Sequence, residues 1–457
     1  MSLYIPNFYS QDNKIFNDFS LAEHHENNPD NITIVIIIDA LSDDFFRSNN
    51  EKTPNLNKLI SNGAFYFKNT TCIPSCTGIG HTHILTGVGP DEHNIAGLNF
   101  LNREKQEHFN GLDLNVEQLL NNGLSKEINT IFEGNSDIKS ASIWNPVSRG
   151  ATISIPYSQS FYRHAERLAM KQIDEGARVL TIWYPLLDPI GHYLGVEHPF
   201  RKFWLYRIDY QIGLLLKSLE NRNLLDKTML HITADHGQTM VNKKFDLFDY
   251  FRKYGLKTYG KDHITEKDPK IFNNYDIFVC RNGYRFAHVY FGDNMKAAPK
   301  LINYFREQLL TEDAVRNIFS RVGDSVLVES KNGTAIIHQN NEKYSYKVVQ
   351  GIDPLLYEDS FLKNGQFLSE DNWKDSTIYS ESPNVVPQIY QLMIAKNSGD
   401  ITLAASKEYN FSSIPHKAGH GGLEKEEMIV PSISLFPESS GKRSKIKVLT
   451  PEERKVC

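Results

Sequence analysis

The chain has few of the features that mark exported or membrane-bound proteins. Its 457 residues include only four cysteines, which excludes a disulfide framework as the source of its stability. The longest aliphatic run, Ile34–Ile38, is far too short to span a bilayer. The first residues, Met1–Phe16, lack the basic stretch followed by an apolar stretch that is typical of a signal peptide. We therefore expect a soluble, cytoplasmic protein that does not bind membranes.

An excess of one charge is also missing. The formal net charge is only -5, and both signs are mixed along the chain, so no basic surface for a nucleic acid is indicated. The composition, 40% hydrophobic and 23% charged, is that of a globular protein. At this length we expect one main domain that carries a large insertion.

The first half of the chain alternates buried strands with amphipathic helices. Continuous apolar runs predict strands that are buried on both faces, as in a parallel sheet. Apolar residues at helical spacing predict helices between them. This alternation predicts a three-layer α/β/α domain with a mostly parallel sheet. The predicted strands are Ile34–Asp39, Ser140–Trp144, Arg178–Trp183 and Met229–Ala234, and two of the helices lie near Phe161–Ile173 and Trp204–Leu219.

The pattern changes after about Lys253. Asn282-Gly283 and Asn332-Gly333 each lie between two apolar runs, which is the signal of a type I′ hairpin. A further strand follows the turn at Asn340–Lys343, and a helix is predicted near Met295–Leu310. We expect the α/β pattern to resume with the apolar runs Ile401–Ala405 and Met428–Phe436. The predicted division is therefore a catalytic core of residues 1–254 and 388–457, with an inserted α+β cap at 255–387 that shapes a substrate pocket.

Acidic residues and histidines follow three of the predicted strands. Asp39 and the pair Asp235-His236 end two strands, and Asp188 and His192 lie four residues apart after a third. In open α/β sheets, ligands bind beyond the carboxyl ends of the strands. Oxygen and nitrogen ligands without cysteine suit Zn²⁺ and also Mn²⁺. A single Asp at a strand end is more often a cap or turn residue, but three such elements together favour a metal site.

A hydroxyl residue lies at a predicted helix start in the segment Cys72–Gly87. There Thr77 would meet backbone amides that favour an anion, and the amide of Gly78 would face a phosphoryl oxygen. The alternative is that Thr77 only caps the helix.

Several short motifs occur in the order of one known family. The chain resembles the alkaline phosphatase superfamily and, within it, the type I phosphodiesterase/nucleotide pyrophosphatase branch. Its ending, HGGLEKEEMIVP from His420, is similar to cytosolic bacterial members. The motifs are TPNL from Thr53, PSCT ending at Thr77, ILTG ending at Gly87, PDEHNI from Pro90, D-x-x-G-H from Asp188, DHG from Asp235 and GHGG from Gly419.

The resemblance implies a catalytic centre with two divalent metal ions, Zn²⁺ or alternatively Mn²⁺. It implies Thr77 as the nucleophile and the backbone amide of Gly78 as a donor to the developing oxyanion. The implied ligands of one ion are Asp188, His192 and His420, and those of the other are Asp39, Asp235, His236 and Thr77.

A resemblance to sulfatases is only superficial. Cys72-Ile73-Pro74-Ser75 matches the start of the sulfatase signature, but Cys76 stands where that signature requires Arg. The modified Cys of sulfatases precedes a Thr-Gly pair by nine residues, and nine residues before Thr86 the chain has Thr77. We therefore expect Cys72 to be a core thiol and expect no sulfatase activity.

The predicted function is hydrolysis of phosphodiester or pyrophosphate bonds through a covalent phosphothreonine intermediate. Alternatives are a C–P bond hydrolase of the phosphonoacetate type, a phosphomonoesterase, an isomerase of the phosphoglycerate mutase type, and a non-catalytic binding protein. The expected partner is a small phosphate ester, pyrophosphate or phosphonate, and neither a nucleic acid nor a membrane. The substrate itself and the oligomeric state stay open. Candidates for substrate contacts are Arg281, Arg285, His288, Tyr290, the stretch from Asp353, and His416. His81 and His83 are alternative donors to the substrate, but a packing role is favoured for both, and His93 is expected to be structural.

Overall fold

The first half of the chain alternates between strands and helices, as predicted. The computed structural model describes residue 25 and residues 30–105, 107–111, 116–157, 164–260, 274–296 and 299–437. The strands of the first half are β1 (Ile32–Ile38), β2 (Phe65–Thr70), β3 (Asn99–Asn102), β4 (Glu107–Asn110), β5 (Ser140–Ile143), β6 (Ile153–Ile155), β7 (Val179–Tyr184), β8 (Thr228–Thr233) and β9 (Thr239–Lys244). The helices are α1 (Asp43–Ser48), α2 (Pro54–Ser61), α3 (Thr77–Thr86), α4 (Pro90–His93), α5 (Val116–Gly123), α6 (Ala165–Asp174), α7 (Leu187–Leu194), α8 (Pro199–Asn221) and α9 (Leu247–Lys253).

The second half is richer in strands. Its strands are β10 (Thr258–Tyr259), β11 (Ile277–Asn282), β12 (Phe286–Phe291), β13 (Val315–Val322), β14 (Ser325–Ser330), β15 (Gly333–Asn340), β16 (Lys343–Gly351), β17 (Leu368–Ser369), β18 (Ile401–Ala405), β19 (Glu408–Asn410), β20 (Ala418–Gly419) and β21 (Ile429–Leu435). Its helices are α10 (Asp293–Lys296), α11 (Pro299–Thr311), α12 (Glu370–Thr377), α13 (Val385–Ile394) and α14 (Lys425–Met428). Of the predicted helix near Phe161, the described part begins at Ala165, and Phe161 itself lies outside the described residues.

A seven-stranded, mostly parallel sheet forms the core, which confirms the predicted α/β class. Its strand order is β2-β21-β8-β1-β7-β5-β6. The run from β8 to β6 is parallel, whereas β21 and β2 continue the sheet in antiparallel pairing. All residues of β1 and β8 are buried, as expected of strands that are covered on both faces. Strands β8, β1 and β7 are neighbours, so their carboxyl ends meet at one edge of the sheet.

A second sheet of nine strands contains the predicted hairpins. Strands β11 and β12 pair antiparallel, but Gly283, Tyr284 and Arg285 form the connection instead of a two-residue turn. Strands β14 and β15 pair from Ser330 and Gly333, so Gly333 begins a strand instead of ending a turn. A side chain at position 333 would lie 1.8 Å from the carbonyl oxygen of Ile352, which explains the glycine by close backbone approach.

One predicted strand lies in the other sheet. The run Ile401–Ala405 was expected to resume the α/β pattern, but as β18 it pairs antiparallel with both β12 and β13 in the second sheet. The expectation was wrong because a fully buried strand has the same apolar composition in either kind of sheet. The chain returns to the main sheet only with β21. Within the described part of the chain, no helix combines the length and apolarity needed to cross a membrane.

Candidate active site

The carboxyl edge of the main sheet brings the three predicted acidic residues together. Asp39 follows β1 directly, and its backbone amide donates to the carbonyl oxygen of Tyr184 at the end of β7 (3.0 Å). Asp235 comes two residues after β8, and Asp188 is the second residue of α7, just beyond β7. Because these strands are neighbours, residues that are far apart in the sequence meet here.

Thr77 begins helix α3, as the sequence predicted. Its hydroxyl oxygen lies 3.3 Å from Nε2 of His236. A β-carbon added at Gly78 would lie 3.1 Å from the carbonyl oxygen of Gly97, so the loop at Gly97 comes close to the first helical turn. The first amides of a helix have no intrahelical partner and favour an anion. The Thr77 hydroxyl and the N-terminus of α3 therefore lie beside the acidic residues at the carboxyl edge of the main sheet.

Two groups of ligand atoms form in this region. Oδ1 of Asp188 lies 3.2 Å from Nε2 of His192 and 3.5 Å from Nε2 of His420. Nε2 of His236 lies 3.4 Å from Oδ1 of Asp39 and 3.6 Å from Oδ2 of Asp235. The ligand atoms of Asp39, Asp188 and His236 lie within 4.8 Å of one another, so Asp188 connects the two groups. The structure thus brings together all seven residues that the sequence named.

The three histidines are held with the same atom facing the carboxylates. Nδ1 of His192 lies 2.8 Å from the carbonyl oxygen of Ala418, and Nδ1 of His420 lies 2.8 Å from that of Ser75. Nδ1 of His236 lies 3.0 Å from the carbonyl oxygen of Gly237. A carbonyl oxygen at Nδ1 places the proton there and leaves Nε2 as an acceptor. Contacts of this kind orient the histidine ligands of metal ions in other proteins.

The carboxylates of Asp39 and Asp235 are buried, and the hydrogen bonds seen among the described residues do not satisfy all of their oxygens. Asp39 and Asp235 are 3% and 0% exposed, and Oδ1 of Asp39 and Oδ2 of Asp235 accept no well-aligned hydrogen bond from the described residues. Burial, together with the charges of Asp235 and Asp188, raises the pKa of Asp39 well above its usual value. Burial acts in the same direction on Asp188, but His192 and His420 outweigh it and hold its pKa low. A divalent cation would relieve this crowding of buried acceptors.

Two further side chains contact the acidic residues. Nε2 of His81 lies 3.3 Å from Oδ2 of Asp235, so one of the candidate donors contacts a predicted ligand. Gln238 was missed, although it follows the DHG motif directly. Its amide donates to the backbone oxygen of Asp188 at 3.0 Å and to its Oδ1 at 2.5 Å. Only the fold shows that position 238 faces the helix that carries Asp188.

A cleft of about 370 Å³ is lined by five of the predicted metal ligands, Asp39, Thr77, Asp188, His192 and His420. Its walls are mostly apolar and aromatic, with Leu98, Val116, Tyr157, Trp183 and Tyr284 among them. His416, predicted as a pocket candidate, lines the cleft and stacks on the ring of Tyr284 (4.0 Å between centroids).

Most of the other candidates for substrate contacts are structural. Arg281 lines the cleft, but its guanidinium donates to the carbonyl oxygen of Phe411 (3.0 Å). The remaining candidates bond to their own surroundings and do not line the cleft. Arg285 forms ion pairs with the buried Glu424 and Glu427, and ring nitrogens of His288 and His83 contact the carbonyl oxygens of Ala96 and Val88. The hydroxyl of Tyr290 donates to the carbonyl oxygen of Asn397, and Asp353 accepts from the hydroxyl of Tyr346. Cys72 is a buried thiol whose pKa burial raises to about 12, in agreement with the expected core role.

Comparisons with known sequences point to one family. A sequence profile described as type I phosphodiesterase / nucleotide pyrophosphatase matches residues 33–353. Ectonucleotide pyrophosphatase/phosphodiesterase family member 7 of Rattus norvegicus is 26% identical over 300 residues, which cover 59% of this chain and 67% of that protein. Venom phosphodiesterase 2 of Crotalus adamanteus is 23% identical over 383 residues, 76% of this chain but only 44% of the venom protein. The match to human family member 7 covers 31% of that relative.

Solved structures show the same fold. Murine ectonucleotide pyrophosphatase / phosphodiesterase 5 superposes with a TM-score of 0.57 at 14% identity, covering 89% of this chain and 88% of that one. Phosphonoacetate hydrolase from Sinorhizobium meliloti 1021, in complex with phosphonoacetate, superposes with a TM-score of 0.52 at 14% identity, covering 88% and 89%. At these identities the likeness concerns the fold alone.

Proposed function

Because the chain belongs to the type I phosphodiesterase/nucleotide pyrophosphatase family, we propose that it is a metal-dependent hydrolase of phosphodiester or pyrophosphate bonds with Thr77 as its nucleophile. The observation that supports this best is the pair of ligand groups that meet at Asp188 beside the Thr77 hydroxyl. One divalent ion would be held by Asp188, His192 and His420. The other would be held by Asp39, Asp235, His236 and Thr77.

The donor set fits such ions. Carboxylate oxygens and imidazole nitrogens, without a thiolate, suit Zn²⁺ and Mn²⁺. A carbonyl oxygen contacts each Nδ1, and Oδ1 of Asp39 and Oδ2 of Asp235 accept no well-aligned hydrogen bond from the described residues. The inward atoms are therefore available for coordination. When bound, the ions would supply Lewis-acid chemistry and lower the pKa of the Thr77 hydroxyl.

The chain's own groups account for the rest of the reaction. The Thr77 oxygen attacks phosphorus, the bond from phosphorus to the leaving oxygen breaks, and a phosphothreonine forms. The Gly78 amide, in the first turn of α3, donates to an equatorial phosphoryl oxygen as charge develops there. Water then cleaves the phosphothreonine and restores the hydroxyl. Threonine needs activation because its hydroxyl is a weak nucleophile at its ordinary pKa.

The cleft favours an ester over a carboxylated phosphonate. A phosphonoacetate-type substrate carries a carboxylate that needs a cation beside the metal centre. Among the described residues, Arg281 is the one Lys or Arg that lines the cleft. Its guanidinium donates to the carbonyl oxygen of Phe411 and lies 4.8 Å from the centroid of the Phe248 ring. The apolar and aromatic walls instead suit a leaving group with an apolar or aromatic body.

Substitution of Thr77 by Ala tests the proposal. With both ions bound, as measured by metal analysis, Thr77→Ala should lower turnover by on the order of 10³-fold or more, because no nucleophile remains. The matched control is Thr86→Ala in the same helix, whose hydroxyl donates to a backbone oxygen (2.7 Å) away from the cleft. Near wild-type turnover by Thr77→Ala would contradict the proposal.

A substrate panel separates the chemical alternatives. Bis-p-nitrophenyl phosphate, p-nitrophenyl phosphate, nucleotide pyrophosphates and phosphonoacetate would be compared with Zn²⁺ and with Mn²⁺. We expect the diester or a pyrophosphate to have the highest kcat/KM. A higher value for phosphonoacetate would favour C–P bond cleavage, and one for the monoester a phosphomonoesterase. Inactivity on every substrate with metal bound would favour a binding protein.

A further inference from the structure

A buried arginine lies behind the site and donates to backbone carbonyl groups. Arg201, the third residue of α8, is 0% exposed. Its Nε donates to the carbonyl oxygen of Leu187 (3.1 Å), and Nη1 donates to that of Val196 (3.2 Å). Its Nη2 donates to the carbonyl oxygen of Ala40 (2.6 Å). Among the described residues the guanidinium forms no ion pair, which is rare for a buried charge and calls for an explanation.

The three carbonyl groups belong to the segments that carry candidate ligands. Ala40 directly follows Asp39, and Leu187 directly precedes Asp188. Val196 lies just past the end of α7, the helix that carries Asp188 and His192. One guanidinium therefore joins the exit of β1 to both ends of α7. In the proposed division of ligands, these segments serve different metal ions.

The backbone after Asp39 needs such support. Ala40 has a φ of 56°, in the left-handed region that is unfavourable for an L-residue with a side chain. Its amide donates to Oδ1 of Asp235 (3.2 Å), while its carbonyl oxygen accepts from Arg201. The Ala40 residue is thus held on both sides, and the direction in which Asp39 leaves the sheet is set by these two bonds.

We propose that Arg201 is a positioning residue that sets the separation of the two metal-ligand groups; this inference rests on the proposed function. The planar guanidinium holds its donors in a fixed fork, whereas a lysine has one compact ammonium and cannot reproduce the three directions. The centroid of the Phe45 ring lies 4.2 Å from the guanidinium carbon, so the ring covers one face of the guanidinium. Burial lowers the pKa of Arg201 to about 10, and the charges of Asp188, Glu197 and Asp39 oppose that change, so the residue is cationic at neutral pH.

The test compares Arg201→Lys and Arg201→Met with the wild-type protein. The lysine variant keeps the charge, and the methionine variant keeps most of the volume without charge or donors. Binding of Mn²⁺ alone would be measured by calorimetry, and the separation of two bound ions by the electron paramagnetic resonance signal of interacting Mn²⁺. Neither readout depends on hydrolysis, so failure of this inference is distinguishable from failure of the Thr77 assignment.

We expect Mn²⁺ affinity to fall by about 10–100-fold in the methionine variant, the range found when outer contacts of metal ligands are removed, with an intermediate loss in the lysine variant. The interaction signal should weaken in both. Arg149→Lys is the matched control, because Arg149 also donates to backbone carbonyls, at Leu124 and Ser125 (3.0 and 2.9 Å), but away from the cleft. It should leave both readouts unchanged.

Three outcomes would overturn the inference. Wild-type Mn²⁺ affinity and an unchanged interaction signal in both variants would show that Arg201 only stabilises the fold. Equal effects of Arg149→Lys would show that the losses are not specific to the site. If the methionine variant does not fold, the lysine variant carries the test; if neither folds, Arg201 is a residue of fold stability and the inference is wrong.

Discussion

Acidification should destabilise the protein through a buried histidine outside the active site. His288 in β12 is 0% exposed. Its Nε2 lies 2.8 Å from the carbonyl oxygen of Ala96, and its Nδ1 accepts from the amide of Gly399 (3.1 Å). These contacts place the single proton on Nε2 and require Nδ1 to be unprotonated. Burial is the main cause that lowers the pKa of His288, to about 4.

The sign and size of the effect follow from proton linkage. A histidine whose pKa is depressed in the folded state contributes stability that is present above its unfolded pKa of about 6.5. That stability is lost as the pH falls from about 6.5 toward 4, because the unfolded chain binds the proton first. Between pH 7.5 and pH 5, a shift from 6.5 to about 4 corresponds to a loss of about 2 kcal/mol in the free energy of unfolding.

Replacement by glutamine isolates this contribution. The introduced amide can donate to Ala96 and accept from Gly399 but does not titrate, so His288→Gln should lose about 2 kcal/mol less than wild type between pH 7.5 and pH 5. Equilibrium urea denaturation at the two pH values measures this difference. His338→Gln, at an exposed position, is the control. An unchanged pH dependence in His288→Gln, or the same change in the control, would refute the reasoning.

Two further substitutions test a buried ion pair, at Arg285, and the packing beside the active site, at Gly80. Arg285→Met leaves two buried carboxylates without their cation and should lower the free energy of unfolding in urea by about 3–5 kcal/mol. Arg306→Met, at an ion pair in which the arginine side chain is 25% exposed, should cost at most about 1 kcal/mol, and equal losses would contradict this. Gly80→Ala adds a carbon 2.7 Å from the carbonyl oxygen of Asp235 and should cost about 1–3 kcal/mol and weaken Mn²⁺ binding in calorimetry. Gly123→Ala, whose added carbon meets only side chains, should bind Mn²⁺ as wild type does; wild-type binding by Gly80→Ala as well would refute the argument.

The α/β core was predictable because its signals are local. The run Ile34–Ile38 is apolar at every position, as expected of a strand covered on both faces, and all of it is buried. The residues just after such strands meet at one edge, so Asp39, Asp188 and Asp235 could be grouped before their distances were known. The position of Thr77 at a helix start followed from its neighbours in the same way.

The second sheet was harder to predict because its partners are distant in the sequence. Ile401–Ala405 reads as a buried strand, but composition does not say which strands it joins, and it pairs with β12 and β13. Arg285 and His288 were candidates for substrate contacts because they are polar residues of the presumed cap. The structure shows that each is buried among partners of its own.

The sequence by itself determined the class of the fold, the family, and the set of seven residues that meet at the sheet edge. Buried strands are recognisable from neighbouring residues, and the motifs of the family occur in the same order along the chain. Tertiary structure alone decided what surrounds them. Gln238 on Asp188, His81 on Asp235, Arg201 on three backbone segments and the apolar cleft depend on which elements pack together. The physical reason is that each of these contacts joins elements that are separate in the sequence, and residue types alone do not say which elements pack together.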